Sequence, residues 1–515
     1  MPQPDLIRDT ICVSETILDS SAEQPVELDY FLPDYYPNIF KILKTTILPA
    51  VQSCKIANSK LTLDGIACIR VHYIAEESSR LCAIEQKTPF SKSIDLPAEC
   101  QNPAIQVIPR CYFASGRAVN PRRLDIRGGI SCKIRVLDQR EIPVISGGSG
   151  EGLQCHCRVL PLCGIRKSAC KPFVVTEELE LDAAAPSFGS LLDLHVSAVP
   201  TECRLLTNKA VCRGDVTLHL LYQPEDENAA PQTVDFTIPI SQIADLPGVE
   251  EGHLCDARFE ITGIDLEPRP NESGENRIIS CEFTANLFCN AGKNQEVQIA
   301  DDAYSTAYET ELTSQPARAE RLVQTLDQLL TIRQTIDSPA PIASVLDASA
   351  LLGDAAVKAE NGELLLCGNL ELSAFCRSTD SVPFRVEKTI PAEVKLLSGL
   401  GERELSLFPA ADVLSTGFAV LSETQLELRA ELRVSGLLCE SVRFPAISDI
   451  HLQEDAPRTR DPLCALRICY ASAGDRVWEI AKACSASMQA VMEENELEDE
   501  VLSEPSMLLI PLIDG

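Results

Sequence analysis

A mainly β chain is predicted, built from three tandem β-rich repeats (sandwiches or open barrels) and closed by a small α+β unit of β-α-α-β order. Three observations carry this. First, one opening recurs: Leu28-Asp29 with Pro33, Leu181-Asp182 with Pro186 and Ile336-Asp337 with Pro341, at steps of 181 − 28 = 153 and 336 − 181 = 155 residues. Second, Gly65, Gly214 and Gly368 follow at matching steps of 149 and 154, inside stretches of alternating apolar and polar residues. Third, the pattern changes after the proline-bounded run Asp455 to Pro462, where apolar residues begin to recur at helical spacing. A period of domain length means tandem domains, since solenoid repeats are several-fold shorter.

In chain order, residues 1–24 read as an arm in which Ile7, Ile11, Val13 and Ile17 form a strand against the first repeat. Repeat 1 spans 25–170, repeat 2 171–314 and repeat 3 315–454, followed by a linker at 455–463 and the terminal unit at 464–515. In each repeat a long strand (Leu61 to Ile74, Ala210 to Tyr222, Gly362 to Phe375) precedes a second one (Phe90 to Ile94, Phe236 to Ile240, Phe384 to Ile390). Short helices are expected after the Pro33, Pro186 and Pro341 turns. Glu320 to Leu330 reads as a connector helix with Leu322, Val323, Leu326, Leu329 and Leu330 on one face. The run Gly147 to Gly152 reads as a flexible hairpin loop, because no helix with Lys-Ser/Thr follows and no phosphate-loop spacing is met. In the terminal unit Leu466, Ile468 and Tyr470 alternate as a strand. Asp475 then caps a helix carrying Val477, Ile480, Ala481 and Cys484, Ser487 caps a second with Met488, Val491 and Met492, and Leu508 to Pro511 closes as a strand.

A formal charge of −31 and a pI near 4.6 argue against nucleic acid and anionic bilayers as partners, and favour a protein with a basic face. The start, Met1 to Asp9, lacks the basic and apolar regions of a signal peptide, and no apolar stretch is long enough to insert in a membrane, so a cytoplasmic protein is expected. The 22 cysteines are scattered singly, which in that compartment means free thiols and no disulfide framework.

Chemistry-bearing patterns are sparse. Cys155-His156-Cys157 with Cys163 and Cys170 has ligand types that suit zinc, but the matching segment Ala307 to Leu312 has none, so core-facing strand thiols are the preferred reading and no metal or cofactor is expected. His72, His195, His219, His253 and His451 lie apart in the sequence. No catalytic constellation is assignable, and an enzyme is not expected.

The terminal unit resembles a LysM domain: Ala473-Gly474-Asp475-Arg476-Val477-Trp478-Glu479-Ile480-Ala481 matches the family's Gly-Asp-Thr-Leu-Trp-x-Ile-Ala signature, with Asn495, Leu497 and Leu509-Ile510-Pro511 as later landmarks. Arg476 replaces the usual Thr, and Glu504-Pro505-Ser506 the usual Pro-Gly, both beside the groove that in such domains holds N-acetylglucosamine-containing glycan. The resemblance implies a partner- or glycan-binding groove of Gly474, Asp475, Arg476, Val477, Trp478, Asn495, Leu497, Ile510 and Pro511; Trp478 reads equally as core. The large repeats resemble SPOCS domains, and three of them before a LysM domain are similar to the SipL-type spore-coat morphogenetic proteins. That resemblance implies a non-enzymatic adaptor in the mother-cell cytoplasm at the forespore surface, whose LysM domain docks on the coat-basement morphogenetic ATPase. The alternative is a peptidoglycan- or cortex-binding protein. Ten acidic and three basic residues from Cys464 to Gly515, a net of 3 − 10 = −7, suit steering to a protein more than recognition of an uncharged sugar strand.

Overall fold

Alternation dictates the architecture. From Lys209 to Leu220 the buried side chains are Ala210, Cys212, Val216, Leu218 and Leu220, on alternate positions with Gly214 between, so one face of the strand must be covered by another layer. The computed structural model describes residues 4–401, 403–458 and 464–512. Repeat 1 consists of β1 (Asp5–Phe31), β2 (Ile39–Ala57), β3 (Lys60–Ala75), β4 (Leu81–Asp95), β5 (Ala104–Asn120) and β6 (Arg123–Ser149). Sheet β2-β3-β4 packs on sheet β1-β6-β5, with Leu61, Leu63, Ile69, Tyr73, Leu124, Ile126, Ile130 and Ile134 between them. Repeat 2 copies this order in β7 (Leu153–Glu180), β8 (Phe188–Leu206), β9 (Lys209–Pro224), β10 (Gln232–Asp245), β11 (Leu254–Pro270) and β12 (Asn276–Ser305). Repeat 3 has β13 (Tyr308–Asp337), β14 (Ile342–Leu352), β15 (Ala356–Glu360), β16 (Glu363–Ser378), β17 (Pro383–Ser398), β18 (Leu405–Leu407), β19 (Ala410–Ser422) and β20 (Gln425–Pro457), its two edge strands each being split.

The repeated glycines have a steric cause. A Cβ on Gly65 would sit 2.5 Å from the Ala50 carbonyl oxygen, and one on Gly214 2.4 Å from that of Val199, where the edge strand crosses closely over the central one.

The first and last strands of each repeat run past the sandwich. Their overhangs, including Ile11, Val13, Val144, Leu162, Val297, Ile299, Ala319, Phe444 and Ala446, share a further core drawn from all three repeats. The arm is thus continuous with β1, which pairs with β6 along its length.

Four expectations are corrected. The Pro33, Pro186 and Pro341 segments hold turns instead of helices, closed in repeat 1 by the Tyr36 N–H donating to the Pro33 carbonyl, because only 32–38 separates β1 from β2. Glu320 to Leu330 is strand, within β13, paired with β20. A bulge between Leu322 and Gln324 shifts the alternation by one residue, so Leu322 and Leu326, spaced as on one helical face, enter different cores, and the long ladder overrides local propensity. Of the Gly147 to Gly152 run, Gly147 to Ser149 end β6 in register with Ile7 to Asp5 and only 150–152 turn, and the join is not a hairpin, since β6 pairs with β1 and β5 whereas β7 pairs with β12. Finally, the N-cap position of the first terminal helix is Arg476, not Asp475, and its side chain makes no cap bond, while the Asp475 carboxylate accepts from the Ser472 N–H at 2.8 Å.

The terminal unit is β21 (Leu466–Ala471), α1 (Val477–Cys484), α2 (Met488–Glu494) and β22 (Ser506–Pro511), with β21 and β22 antiparallel. The Ser487 hydroxyl caps α2 by accepting from the Ala490 N–H. Of the expected linker, 455–457 belong to β20 and 459–463 lie outside the described residues. Among the described residues no helix is long and apolar enough to cross a membrane.

Candidate functional site

Two places gather chemistry: the terminal unit and the junction of the three repeats. In the terminal unit, Val477, Trp478 and Ile510 are buried in a core with Ala471, Ala481, Val491, Leu502 and Leu508, and Leu497 packs against it. Asn495 ties α2 to β22: its Oδ1 accepts from the Leu509 N–H at 2.8 Å, and its Nδ2 donates to the carbonyls of Leu509 and Val491 at 2.7 Å. Pro511 ends the β21–β22 ladder opposite Leu466. Gly474, at φ +91°, and Arg476 are exposed in the loop before α1.

That loop is joined to the one after α2. The Gly474 and Val477 N–H groups donate to the carbonyls of Leu502 and Glu500, both at 2.8 Å, and the Leu502 N–H donates to the Asp475 carbonyl at 3.0 Å. Arg476 bridges Val501. These peptide groups are therefore already satisfied within the unit.

Trp478 also fastens the unit to repeat 2. Its ring is 5% exposed and meets Tyr304 edge-on at 4.8 Å, and its Nε1–H donates to Asp302 Oδ2 at 2.7 Å. Lys482 donates to both oxygens of Asp302, at 2.6 and 2.7 Å, and the Tyr304 hydroxyl donates to the Ala486 carbonyl at 2.8 Å. The opposite face points outward, with Ile468 56% and Tyr470 82% exposed and Leu466 and Met507 beside them.

His156 stands 5.0 Å from Trp478, its Nδ1 2.5 Å from Asp301 and its Nε2 3.5 Å from Glu500 of the terminal unit. Burial alone would lower its pKa, but the Asp301 and Glu500 carboxylates outweigh burial and raise it. A raised pKa stabilises docking below about 6.5, the unperturbed value, and that contribution is lost as pH rises through the folded value. Accordingly, urea should release the terminal unit at a lower concentration at alkaline than at mildly acidic pH, read from the emission of Trp478, the chain's single tryptophan. His156→Gln should flatten that dependence.

The second place was hidden in the sequence. His72, His195 and His219, which read as scattered, converge where the repeats close on one another. Arg70 of repeat 1 donates to Asp193 Oδ1 of repeat 2 at 2.6 Å, His219 of repeat 2 lies 2.9 Å from Asp347 Oδ1 of repeat 3, and Lys44 of repeat 1 donates to Ser373 and Ser349 of repeat 3 at 3.1 and 2.7 Å. These are equivalent positions: 44 + 149 = 193 and 193 + 154 = 347, while 70 + 149 = 219 and 219 + 154 = 373. The glycine offsets were thus the signal that could have found them. Leu43, Leu192 and Leu346, one residue earlier, join Leu221 and Phe375 in an apolar plug beside the polar ring.

Burial drives His72 down to about 4 and lowers Lys44. For His195, burial is outweighed by Asp193 and Asp347, which raise it to about 9. Above the ring opens a cleft of about 1530 Å³ lined by all three repeats, including His195, His219, Arg110 and Arg385.

The cysteine candidates do not gather. Cys155 and Cys157 pack near Leu153 and Ala303, Cys163 packs with Leu322 and Cys439, and Cys170 is exposed. Another set, from distant parts of repeat 2, does: Cys203 Sγ is 2.7 Å from Cys212 Sγ and 3.5 Å from Cys255 Sγ, and Cys212 Sγ is 3.7 Å from Cys289 Sγ. None of the 22 cysteines forms a disulfide.

The family model for the SipL SPOCS domain matches residues 38–110 and 189–268. Repeats 1 and 2 thus carry SPOCS domains of the SipL type. The matched spans cover β2 to β4 with the start of β5, and most of β8 to β11, and so contain the repeat 1 and repeat 2 parts of the polar ring; β14 to β19 have the same place in repeat 3. SPOCS domains point to a sporulation-related role, and the SipL SPOCS family is not a known enzyme family. No curated protein and no solved structure matches the chain.

Proposed function

We propose that this SPOCS protein is a non-enzymatic adaptor of spore-coat morphogenesis that docks on the coat-basement morphogenetic ATPase through residues 464–515, in the mother-cell cytoplasm at the forespore surface. The observation that carries this reading is the orientation of the terminal unit. Its tryptophan side is buried against Tyr304 and Asp302, while the apolar face of Ile468, Tyr470, Leu466 and Met507 is exposed. Aromatic and apolar residues on a rigid two-stranded sheet suit a protein surface, and the net charge of the unit supplies steering toward a basic rim on the partner.

The test is capture of the ATPase from sporulating cells by the full chain and by a chain ending before Cys464. Truncation is expected to abolish capture. Undiminished capture would remove the terminal unit from the interface, and retention of the full chain on purified cortex, lost on truncation, would favour peptidoglycan instead.

A further inference from the structure

We propose that Asp193, His195 and Asp347 form a divalent transition-metal site, zinc being the best fit, that joins repeat 2 to repeat 3 at the floor of the cleft. The inference is independent of the adaptor reading. His195 Nε2 lies 3.4 Å from Asp193 Oδ2 and 3.5 Å from Asp347 Oδ2, and the three atoms are all within 4.8 Å of one another. Charge-assisted hydrogen bonds from an imidazolium would run at about 2.7–2.9 Å. Tetrahedral zinc, with ligand atoms at about 2.0–2.2 Å, spaces neighbouring ligands at about 3.3–3.5 Å. Both distances from His195 Nε2 have that size.

The surroundings hold both carboxylates for such a task in the same way. Asp193 Oδ1 accepts from the Leu194 N–H at 2.9 Å and from Arg70 at 2.6 Å. Asp347 Oδ1 accepts from the Ala348 N–H at 2.7 Å, with His219 at 2.9 Å. One oxygen of each is thereby fixed, and the other is aimed at His195. Asp347 is only 4% exposed, yet its Oδ2 and the buried His195 Nε2 make no well-formed hydrogen bond, only the long 3.5 Å approach to each other and, for Nε2, the 3.4 Å one to Asp193. Unpartnered buried polar atoms are costly unless something satisfies them. His72 Nε2 lies 3.4 Å from Asp193 Oδ2 but bonds the Leu192 carbonyl at 3.0 Å, so its nitrogen carries the hydrogen and is not a ligand. Arg70, Lys44 and His219 contribute the positive charge around the carboxylates, and the His195 ring lines the cleft, which gives an ion its way in. The third equivalent position, Lys44, explains why the ring has one such site instead of three: an ammonium group stands where repeats 2 and 3 have aspartate.

The experiment is titration of the full-length protein with cobalt(II), followed by zinc competition. Stoichiometric binding is expected, with ligand-field bands of low-coordinate cobalt and without the near-ultraviolet charge-transfer band of thiolate ligation. His195→Gln and Asp347→Asn should each abolish it, the Cys203→Ser/Cys212→Ser pair should leave it intact, and His219→Gln, which loosens one carboxylate, should weaken it by about 10–100-fold. Absence of cobalt and zinc uptake by the unaltered protein overturns the assignment without reference to any variant's folding. So does uptake with a thiolate band that survives His195→Gln, which would move the metal to the four-cysteine cluster of repeat 2.

Discussion

Arg70→Ala is expected to destabilise the three-repeat body by about 3–5 kcal/mol, the cost of leaving a buried charge without its partner. Arg70 joins repeat 1 to repeat 2 through Asp193 and also bonds Glu85 within its own repeat, and the Arg70 and Asp193 side chains are almost fully buried. Its removal leaves the Asp193 carboxylate, beside the apolar plug of Leu192, Leu221 and Phe375, with only the Leu194 N–H and the facing His72 and His195. Urea unfolding should show the loss. A double-mutant cycle with Asp193→Ala separates the causes, because removing both charges should cost less than the sum of the single changes. A loss under about 1 kcal/mol for Arg70→Ala would mean that water reaches the pair and that the ring does not hold the repeats together.

The other large effect is expected at Trp478. Truncation to Ala removes the largest side chain shared by the terminal unit and repeat 2, at about 3–5 kcal/mol for a buried Trp. Trp478→Phe keeps most of the packing but leaves Asp302 with one donor fewer, at about 1–3 kcal/mol. Hydrogen exchange in α1 and α2 should accelerate strongly for the first and modestly for the second. Equal protection in Trp478→Ala and the unaltered chain would contradict the docking described here.

The sheets were legible because their signal is local: alternation along Ala210 to Tyr222 or Leu61 to Ile74 survives whatever the partner strand is. The terminal unit was legible for a similar reason, its two helices and closing strand following from short-range spacing. What failed depended on distance. The β13 leucines look helical by their spacing, and nothing near Leu322 in sequence announces the bulge or β20, more than a hundred residues away. The polar ring failed in the same manner, for His195, His219 and Asp347 are unremarkable singly and meet only when the repeats close. Of the groove residues, Val477, Trp478 and Ile510 became core and Asn495 a tie between α2 and β22, whereas the most exposed apolar side chains of the unit, Tyr470, Ile468 and Met507, were outside the expected set.

The adaptor account rests most directly on that outward face, and affinity of the full-length protein for the purified ATPase measures it. Tyr470→Ala combined with Ile468→Asp leaves the buried core of the unit untouched. The account predicts at least a 30-fold loss of affinity, about 2 kcal/mol, as for an interface hot spot, with the Trp478 emission and the urea midpoint unchanged. Unaltered affinity in a folded double variant would contradict it.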